Sequence, residues 1–543
     1  MKLYKILIMA AIALTSVSCS EDFLNRVPTD ALSPSVFWQT EKDADIALTG
    51  CYRQLYSPYR PEEMWFWDTA SDNAFCYHNN KDYRAIGNGT MAPSGVSVHN
   101  YFTYTQIRTC NEYLKMENTI NFSSDAKRNM YRAEVRMIRA LSLFFRVHVY
   151  GDFPFSEDVY ETVDQAMVSK VDKQTLLSYI KKEMEDVIQY LPATAEAGRI
   201  TSGAAQAFLV RVCMYMGEYA EAAKVAKEVI DGGKYAMPNL SYEASFLKAN
   251  EYNSEVMLSF EHNKAGGFGM WVFEFLPNGA YGGWSSIVPT RSLLDSYETI
   301  NGLTIDEDPS YNAENPFTNR DPRLRATIVY PGQKWDKYAV EAKYPHGYPT
   351  IIKGSGDYWS DADNATHTGM SFKKFYADPN EYPDVQSCDR NFPILRYAEV
   401  LLSYAEAKIE LGQIDQSVYD AINQVRHRAG MPNVDQTKYN SQSSLRTLVR
   451  RERRVEFAYE GLRRLDIQRW GIMKDAMPET IYHMNGTILD TKNAEGDFNV
   501  KLVDVKSDVE EVRHFTVGKN EYLPVPQTVI DVNPKITQNT GYK

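Results

Sequence analysis

The chain has 543 residues, of which 43% are hydrophobic and 24% are charged. This composition is typical of a folded globular protein and argues against disordered, collagen-like and coiled-coil chains. The formal net charge of −12 repels phosphate backbones, so we expect no nucleic-acid partner. Aromatic residues are abundant, with 37 Tyr, 23 Phe and 8 Trp, and such rings serve either as core or as flat faces that bind ligands.

A secretory signal is predicted at the amino terminus. Lys2 and Lys5 precede an apolar run of about a dozen residues, too short to span a bilayer. Cys19 follows this run and the small residue Ser18, as in bacterial lipoproteins. We therefore expect residues 1–18 to be removed and Cys19 to be lipidated, with an ordinary cleaved signal as the alternative. No other segment is apolar enough to cross a membrane.

In the order of the chain, a 3.6-residue apolar periodicity predicts helices over 41–56, 100–120, 125–150 and 173–190. Between the first two, Trp65 and Trp67 alternate with Phe66, which predicts a buried strand.

Two segments predict paired helices. Helices over 204–216 and 219–230 are joined at Gly217-Glu218, and helices over 396–411 and 417–429 are joined at Gly412. Alanines lie where the paired helices must approach closely, as in tetratricopeptide-like repeats. Such repeats stack into a solenoid that offers a binding surface. These alanines are Ala222, Ala223, Ala226, Ala398, Ala405, Ala407 and Ala421.

The segment between the two pairs, 238–393, is rich in glycine and proline and loses helical periodicity. A long loop-rich insertion of this kind is typical of functional segments. It carries Trp271, Tyr281, Trp284 and Trp335, each of which is either a core ring or a ligand platform. Trp284 follows Gly282 and Gly283, which we expect to leave open space beside its indole.

No catalytic or metal-binding motif is evident. The nine histidines form no close pair in sequence, the cysteines other than Cys19 have no CxxC spacing, and no GxSxG or phosphate-binding loop occurs. Asp357, Asp361, Asp363 and Asn364 are spaced loosely like calcium ligands but lack the glycine and glutamate of an EF-type loop. We therefore predict no metal, no cofactor and no enzymatic activity, although a carboxylate pair for glycoside hydrolysis depends on distances that sequence does not give.

The basic run from Arg450 to Arg454 is interrupted by Glu452. Its charges are predicted to pair with acids three or four positions away on one helix that continues to Leu462. Glu452 falls on the apolar side of that helix, so it is expected to be buried with an arginine partner.

Several ordered motifs resemble the SusD/RagB family of outer-membrane nutrient-binding lipoproteins. Besides the segment CSEDFL at 19–24, they are RYAEVLLSYAEA at 396–407, NQVRHRAG at 423–430, RRERRVEFAYEGLRR at 450–464, RWG at 469–471, LPVP at 523–526 and QNTGY at 538–542. Weaker similarities are SDN at 71–73, YGDFP at 150–154 and NRDPR at 319–323.

This resemblance implies a mainly α fold: a tetratricopeptide-like scaffold in 19–237 and 394–543, and a loop-rich α+β, ligand-binding insertion in 238–393. It also implies that the protein is exposed at the cell surface, anchored in the outer membrane through Cys19, and delivers oligosaccharides to a SusC-like TonB-dependent transporter. By analogy, the ligand site uses Trp284, Trp271, Tyr281, Trp335, Tyr77, Tyr83 and Arg84. The alternatives are a peptide or glycopeptide ligand, a surface glycosidase and a structural adhesin.

Overall fold

The computed structural model describes residues 37–56, 61–78, 82–95, 101–381, 384–503, 506 and 508–542. Cys19 and residues 1–18 lie outside these residues. Helices dominate the described part of the chain. They are α1 Glu41–Arg53, α2 Pro61–Thr69, α3 Tyr83–Asn88, α4 Thr105–Met116, α5 Asp125–Tyr150, α6 Val163–Ala166, α7 Lys173–Val187, α8 Ser202–Met216, α9 Tyr219–Asp231, α10 Tyr242–Ser245, α11 Asn278–Tyr281, α12 Arg291–Ser296, α13 Pro322–Thr327, α14 Lys337–Val340, α15 Tyr397–Glu410, α16 Gln416–Arg428, α17 Gln442–Glu456, α18 Arg463–Arg469, α19 Met473–Ala476 and α20 Gln527–Val532.

The strands form five small antiparallel pairs: β1 with β3, β2 with β6, β4 with β5, β7 with β10, and β8 with β9. Their bounds are β1 Ala74–Phe75, β2 Val256–Phe260, β3 Val288–Pro289, β4 Ile328–Val329, β5 Ser371–Phe372, β6 Phe392–Arg396, β7 Thr480–Tyr482, β8 Asn485–Lys492, β9 Phe498–Val503 and β10 Val509–Val512. The predicted fold, mainly helical with small sheets, is confirmed.

The long scaffold helices follow the predicted periodicity. Helix α5 begins after Ser124, whose Oγ accepts a hydrogen bond from the Lys127 amide at 3.2 Å, and ends before Gly151 at φ 74°. A serine cap and a glycine stop are the local signals that define helix ends. Both paired-helix predictions are also confirmed, with Gly217 and Gly412 at φ 75° and 69° in the turns.

The two hairpins lie side by side although 165 residues of sequence, counted from the end of α9 to the start of α15, separate them. Helix α9 packs against α15, and α8 contacts both. Ala222, Ala226 and Ala405 are fully buried in this region, which allows the helix backbones to come close. The intervening insertion leaves the scaffold and returns to it, and the pairing of β2 with β6 joins its two ends.

Two local predictions were wrong. Trp65 and Trp67 are buried as expected, but they lie in helix α2, whose entire central part is enclosed, so that alternation carries no information about the period. The basic helix α17 ends at Glu456 and does not reach Leu462, because Tyr459 takes a left-handed conformation at φ 65° and donates its amide to the Asp68 carboxylate.

The pairing of charges along one helix was also wrong. Arg453 bonds Asp466, with 2.9 Å from Nε to Oδ2, and Arg463 bonds Asp72, with 2.8 Å from Nε to Oδ1. The prediction for Glu452 is confirmed: it is buried, and its two carboxylate oxygens bond Arg323 at 2.6 Å and Arg426 at 2.9 Å. The basic run therefore holds separate elements together inside the protein.

Among the described residues, we find no helix with both the length and the apolar character that a membrane span requires.

Candidate functional site

Three aromatic side chains of the insertion form a partly exposed cluster. The ring centroids of Trp271 and Trp284 are 4.8 Å apart with the planes at 73°, and Phe273 lies 6.4 Å from Trp271 and 6.2 Å from Trp284. Trp271 is 37% exposed, while Phe273 and Trp284 are half-buried. Edge-to-face contact fixes the rings against one another, so the cluster presents a preformed apolar surface to solvent. We call Trp271, Phe273 and Trp284 the aromatic face.

The two glycines before Trp284 have a different role from the one predicted. Gly282 adopts φ 64°, and a Cβ on Gly283 would lie 2.2 Å from the carbonyl oxygen of Leu276. They let the chain turn and pass close to the preceding backbone. Trp284 is thereby held beside Trp271, with its position set by the backbone.

Tyr281 and Trp335 form a second pair, with ring centroids 5.6 Å apart. The Tyr281 hydroxyl donates to Asp336 Oδ2 at 2.6 Å, and burial is the main reason that the pKa of Tyr281 is raised. Trp335 is only 4% exposed, and its Nε1 donates to the Ala377 carbonyl at 2.6 Å. The prediction that Trp335 contacts a ligand is therefore wrong for this conformation, because the ring is core; Tyr281 is half-buried beside it.

The remaining predicted residues lie near β1. Tyr83 is fully buried, is stacked on Phe66 and donates its hydroxyl to Glu63 Oε2 at 2.7 Å, so it is a core residue and its prediction as a ligand contact is wrong. The guanidinium of Arg84 donates to Glu511 at 2.7 Å and to the Tyr77 carbonyl at 2.8 Å. These contacts occupy Arg84 in holding the β10 region.

Tyr77 belongs to a group that sequence spacing did not reveal. Its ring stacks on His367 at 3.6 Å between centroids, and Trp359 stacks on His483 at 3.9 Å. Both imidazoles face Glu510: its Oε2 lies 3.1 Å from His367 Nδ1 and 3.2 Å from His483 Nε2. These three residues come from segments more than 25 residues apart, so no local motif signals their meeting.

The electrostatics of this group follow from those contacts. Burial by itself would raise the pKa of Glu510, but the hydrogen bonds from His367 and His483 lower it to about 2. Burial likewise opposes the charged form of His483, yet Glu510 and the His367 carbonyl raise its pKa above the usual value. The pKa of nearby His78 is lowered by burial and by His367. The group thus concentrates opposite charge in a poorly hydrated place.

The acids considered as calcium ligands are engaged elsewhere. Asp357 accepts hydrogen bonds from the Gly279 amide at 2.7 Å and the Tyr338 hydroxyl at 2.8 Å, and burial raises its pKa to about 6. Asp361 accepts from the amides of Gly354 and Gly356. Both carboxylates therefore shape their own loops.

A groove of about 690 Å³ offers a second place for a ligand. Its wall includes Phe102, Tyr104, Tyr160 and Val532, and the rings of Tyr104 and Tyr160 are stacked at 5.9 Å between centroids. It lies between the start of α4, the loop around α6 and helix α20, and no residue predicted from sequence lines it.

Comparisons with known proteins give a consistent result. The model of the SusD family matches residues 239–542. The chain is similar to SusD-like protein P25 of Formosa agariphila, with 23% identity covering 100% of both chains. It is also similar to the starch-binding protein SusD of Bacteroides thetaiotaomicron, with 25% identity over 77% of this chain and 74% of the relative.

Solved structures share the fold. A SusD-like carbohydrate binding protein from Bacteroides fragilis superposes with a TM-score of 0.79 and 29% identity, over 92% of this chain and 100% of that one. A laminarin binding SusD-like protein gives a TM-score of 0.65 and 20% identity, over 93% of this chain and 100% of that one.

Proposed function

The chain belongs to the SusD family, and on that basis we propose that it binds oligosaccharides at the cell surface, without chemically altering them, and passes them to a SusC-like TonB-dependent transporter. The observation that carries the binding proposal is the aromatic face. Trp271, Phe273 and Trp284 hold a half-exposed apolar surface in place on the loop-rich insertion. Relatives named as starch-binding, carbohydrate binding and laminarin binding support a glycan as the ligand.

The chemistry of the face suits a sugar. A pyranose ring has an apolar C–H side that can lie on an indole, while its hydroxyl groups exchange hydrogen bonds with neighbouring polar groups. Covering about 100 Å² of apolar surface on each ring contributes roughly 2.5 kcal/mol before the sugar and side chains are ordered. Two or three such contacts correspond to about 4–8 kcal/mol, or micromolar to millimolar affinity.

The domain division is part of the proposal. We infer that 19–237 and 394–543 form the scaffold and that 238–393 carries the ligand site. We further propose that residues 1–18 are removed and that a lipid on Cys19 anchors the protein in the outer membrane. The export signal in the sequence and the family's association with membrane transport support this arrangement.

The test is calorimetric titration of soluble starch, laminarin and a mixed peptide digest into wild-type protein and into Trp284→Ala. We expect a glycan to bind the wild type and Trp284→Ala to weaken that binding at least tenfold, about 1.4 kcal/mol. Because Trp284 is half-buried, its loss is expected to destabilise the fold less than the roughly 3–5 kcal/mol of a core tryptophan. A melting curve of each variant measures this.

Two further variants make the titration decisive. Tyr190→Ala removes a ring that is 45% exposed on the scaffold, and we expect it to leave affinity unchanged. Tyr160→Ala alters the groove described above; if it weakens glycan binding and Trp284→Ala does not, the aromatic face is not the site. Binding of peptides alone would contradict the glycan proposal, and release of reducing sugar would contradict the absence of catalysis.

A further inference from the structure

Beyond glycan binding, the group around Glu510 has the geometry of a metal site. The two contacts of Glu510 Oε2, 3.1 Å to His367 Nδ1 and 3.2 Å to His483 Nε2, are close to the separation of about 3.3 Å between neighbouring ligands of a tetrahedral zinc ion with bonds of about 2.0 Å. The ligand atoms of all three residues lie within 4.8 Å of one another. We propose that His367, His483 and Glu510 bind one divalent metal ion of the zinc class.

The imidazole of His483 is already oriented as a ligand. Its Nδ1 lies 2.8 Å from the carbonyl oxygen of His367, and since a carbonyl only accepts, Nδ1 carries the hydrogen. This leaves Nε2 as the atom that faces Glu510. Metal-binding histidines commonly make this second hydrogen bond to a backbone carbonyl, which fixes the tautomer and the plane of the ring. Here the carbonyl belongs to the other histidine of the site.

Aromatic stacking holds both rings in place. Tyr77 covers one side of His367, with the planes at 13°, and Trp359 covers one side of His483, also at 13°. Both histidines are less than a tenth exposed. A site whose ligands are fixed before binding loses little side-chain freedom when the ion arrives.

An irregularity in the sheet aims the third ligand. Strands β7 and β10 pair Val509 with Tyr482 and Glu511 with Ile481, so the register shifts at the residue between Val509 and Glu511, which is Glu510. A bulge turns the side chain of its extra residue away from the alternation of a regular strand, and bulges are frequent beside functional sites. As a result Glu510 and Glu511 are both half-buried neighbours, with Glu511 bonded to Arg84 and Glu510 facing the imidazoles.

The donor set selects the kind of ion. Two imidazole nitrogens and one carboxylate oxygen are typical of zinc and similar transition metals, whereas calcium and magnesium require mostly oxygen ligands. Arg84 lies 3.4 Å from Oε1 of Glu510, so it contacts the oxygen that is turned away from the histidines. The bound ion would join the loop that carries His367, within the insertion, to the β7–β10 pair near the carboxyl end of the chain.

The experiment is titration of zinc chloride into chelator-treated mature protein, followed by calorimetry and thermal melting, for the wild type, Glu510→Gln and His483→Gln. We expect the wild type to bind one zinc ion more than either variant and to melt several degrees higher with zinc. Loss of a ligand should weaken the affinity by more than the roughly 10–100-fold that loss of an outer partner costs. Cobalt(II) in place of zinc should give the intense visible absorption of a four-coordinate ion.

The matched control is His346→Ala. His346 also bonds a carboxylate, with 2.9 Å from Nε2 to Asp490 Oδ1, but this pair has one histidine and is exposed. We expect this variant to bind zinc like the wild type. Equal zinc uptake by wild type and Glu510→Gln, or a weak six-coordinate cobalt spectrum in the wild type, would overturn the proposal. The cobalt spectrum needs no variant, so the result stands even where a substitution impairs folding.

Discussion

Glu456 is the acid around which the buried charges of the scaffold are arranged. It bonds Arg396, with 2.6 Å from Oε1 to Nη1, and also Arg428 and Arg323. Burial opposes its ionisation, but these three guanidinium groups hold the pKa of Glu456 well below its usual range. The carboxylate is therefore charged at all ordinary pH values, and it joins α16 and α17 to β6 and α13.

Replacing this acid should be severe. Glu456→Gln leaves three buried guanidinium groups short of a counter-charge, and breaking a buried ion pair from one side costs about 3–5 kcal/mol. We expect the free energy of unfolding in chemical denaturation to fall by that amount. Glu228→Gln, an exposed change on α9, is the control and should alter it little. A loss for Glu456→Gln no larger than for Glu228→Gln would show that the cluster does not stabilise the fold.

Sequence reasoning reached this cluster only in part. The apolar face of α17 indicated that Glu452 is buried and needs an arginine. It did not identify Arg323, 129 residues away, because partners from distant segments leave no periodic pattern. The same reason hid the meeting of His367 and His483, 116 residues apart.

Asp68 makes stability depend on pH. Burial raises its pKa from 3.8 to about 7, although the Tyr459 amide donates to it. Between these values the unfolded chain releases a proton that the folded chain keeps, so the stability contributed by this group is complete below pH 4 and is lost as the pH rises to 7. Asp68→Asn should remove that loss. We expect the melting temperature of the variant, relative to wild type, to be higher at pH 8 than at pH 5.

The control for Asp68 is Asp164→Asn, at an exposed position. Its melting temperature relative to wild type should be the same at both pH values. If Asp68→Asn behaves in the same way, Asp68 is ionised throughout and the assigned direction of its pKa shift is wrong.

At the scale of elements, the hairpin turns depend on glycine for backbone conformation alone. A Cβ on Gly217 or Gly412 would meet no atom within 4 Å, but both residues have φ near 70°. A left-handed conformation costs an L-residue about 1–2 kcal/mol, so Gly217→Ala and Gly412→Ala should each lower the free energy of unfolding by about that much. Gly50 in α1 also has open space, without a left-handed φ.

Gly50→Ala is therefore the matched control and should stabilise the protein by about 0.5–1 kcal/mol, since alanine favours a helix. Chemical denaturation of the three variants gives the comparison. Destabilisation by Gly50→Ala equal to that of the turn variants would mean that lost space, not backbone conformation, explains the effect.

The elements show why some predictions succeeded. Hairpins α8–α9 and α15–α16 depend on contacts within about 30 residues, so their periodicity, glycines and alanines are visible in the sequence. The insertion is different, because its short strands pair with distant segments, β2 with β6 and β1 with β3. Composition could indicate that it carries aromatic surface, but which rings are exposed depends on that pairing. Trp335 became core while Trp271 stayed exposed.

At the scale of the whole molecule, the chain returns to its first hairpin after the insertion and so unites scaffold and insertion in one body. Clusters of buried arginine and glutamate lie where they meet, with Arg396 of β6 bonded to Glu255 and Glu460. The aromatic face thus lies on loops attached to a rigid support, an arrangement suited to binding a ligand without a large rearrangement. The scaffold leaves the opposite requirement, attachment to a membrane, to the amino terminus.

The membrane proposal is tested at Cys19, which lies outside the described residues. Several acyl chains, at about 0.8 kcal/mol for each buried CH₂, anchor a protein stably, whereas one chain is marginal. Cys19→Ala removes the acceptor, so we expect the variant to leave the outer-membrane fraction or to stay unprocessed, as shown by fractionation and intact mass. Its glycan affinity should be unchanged, which separates anchoring from binding. Wild-type protein extracted in mild detergent should co-purify with a barrel transporter, and the variant should lose that association. A Cys19→Ala protein that remains surface-exposed, membrane-bound and processed to the same mass would show that the lipid is not the anchor.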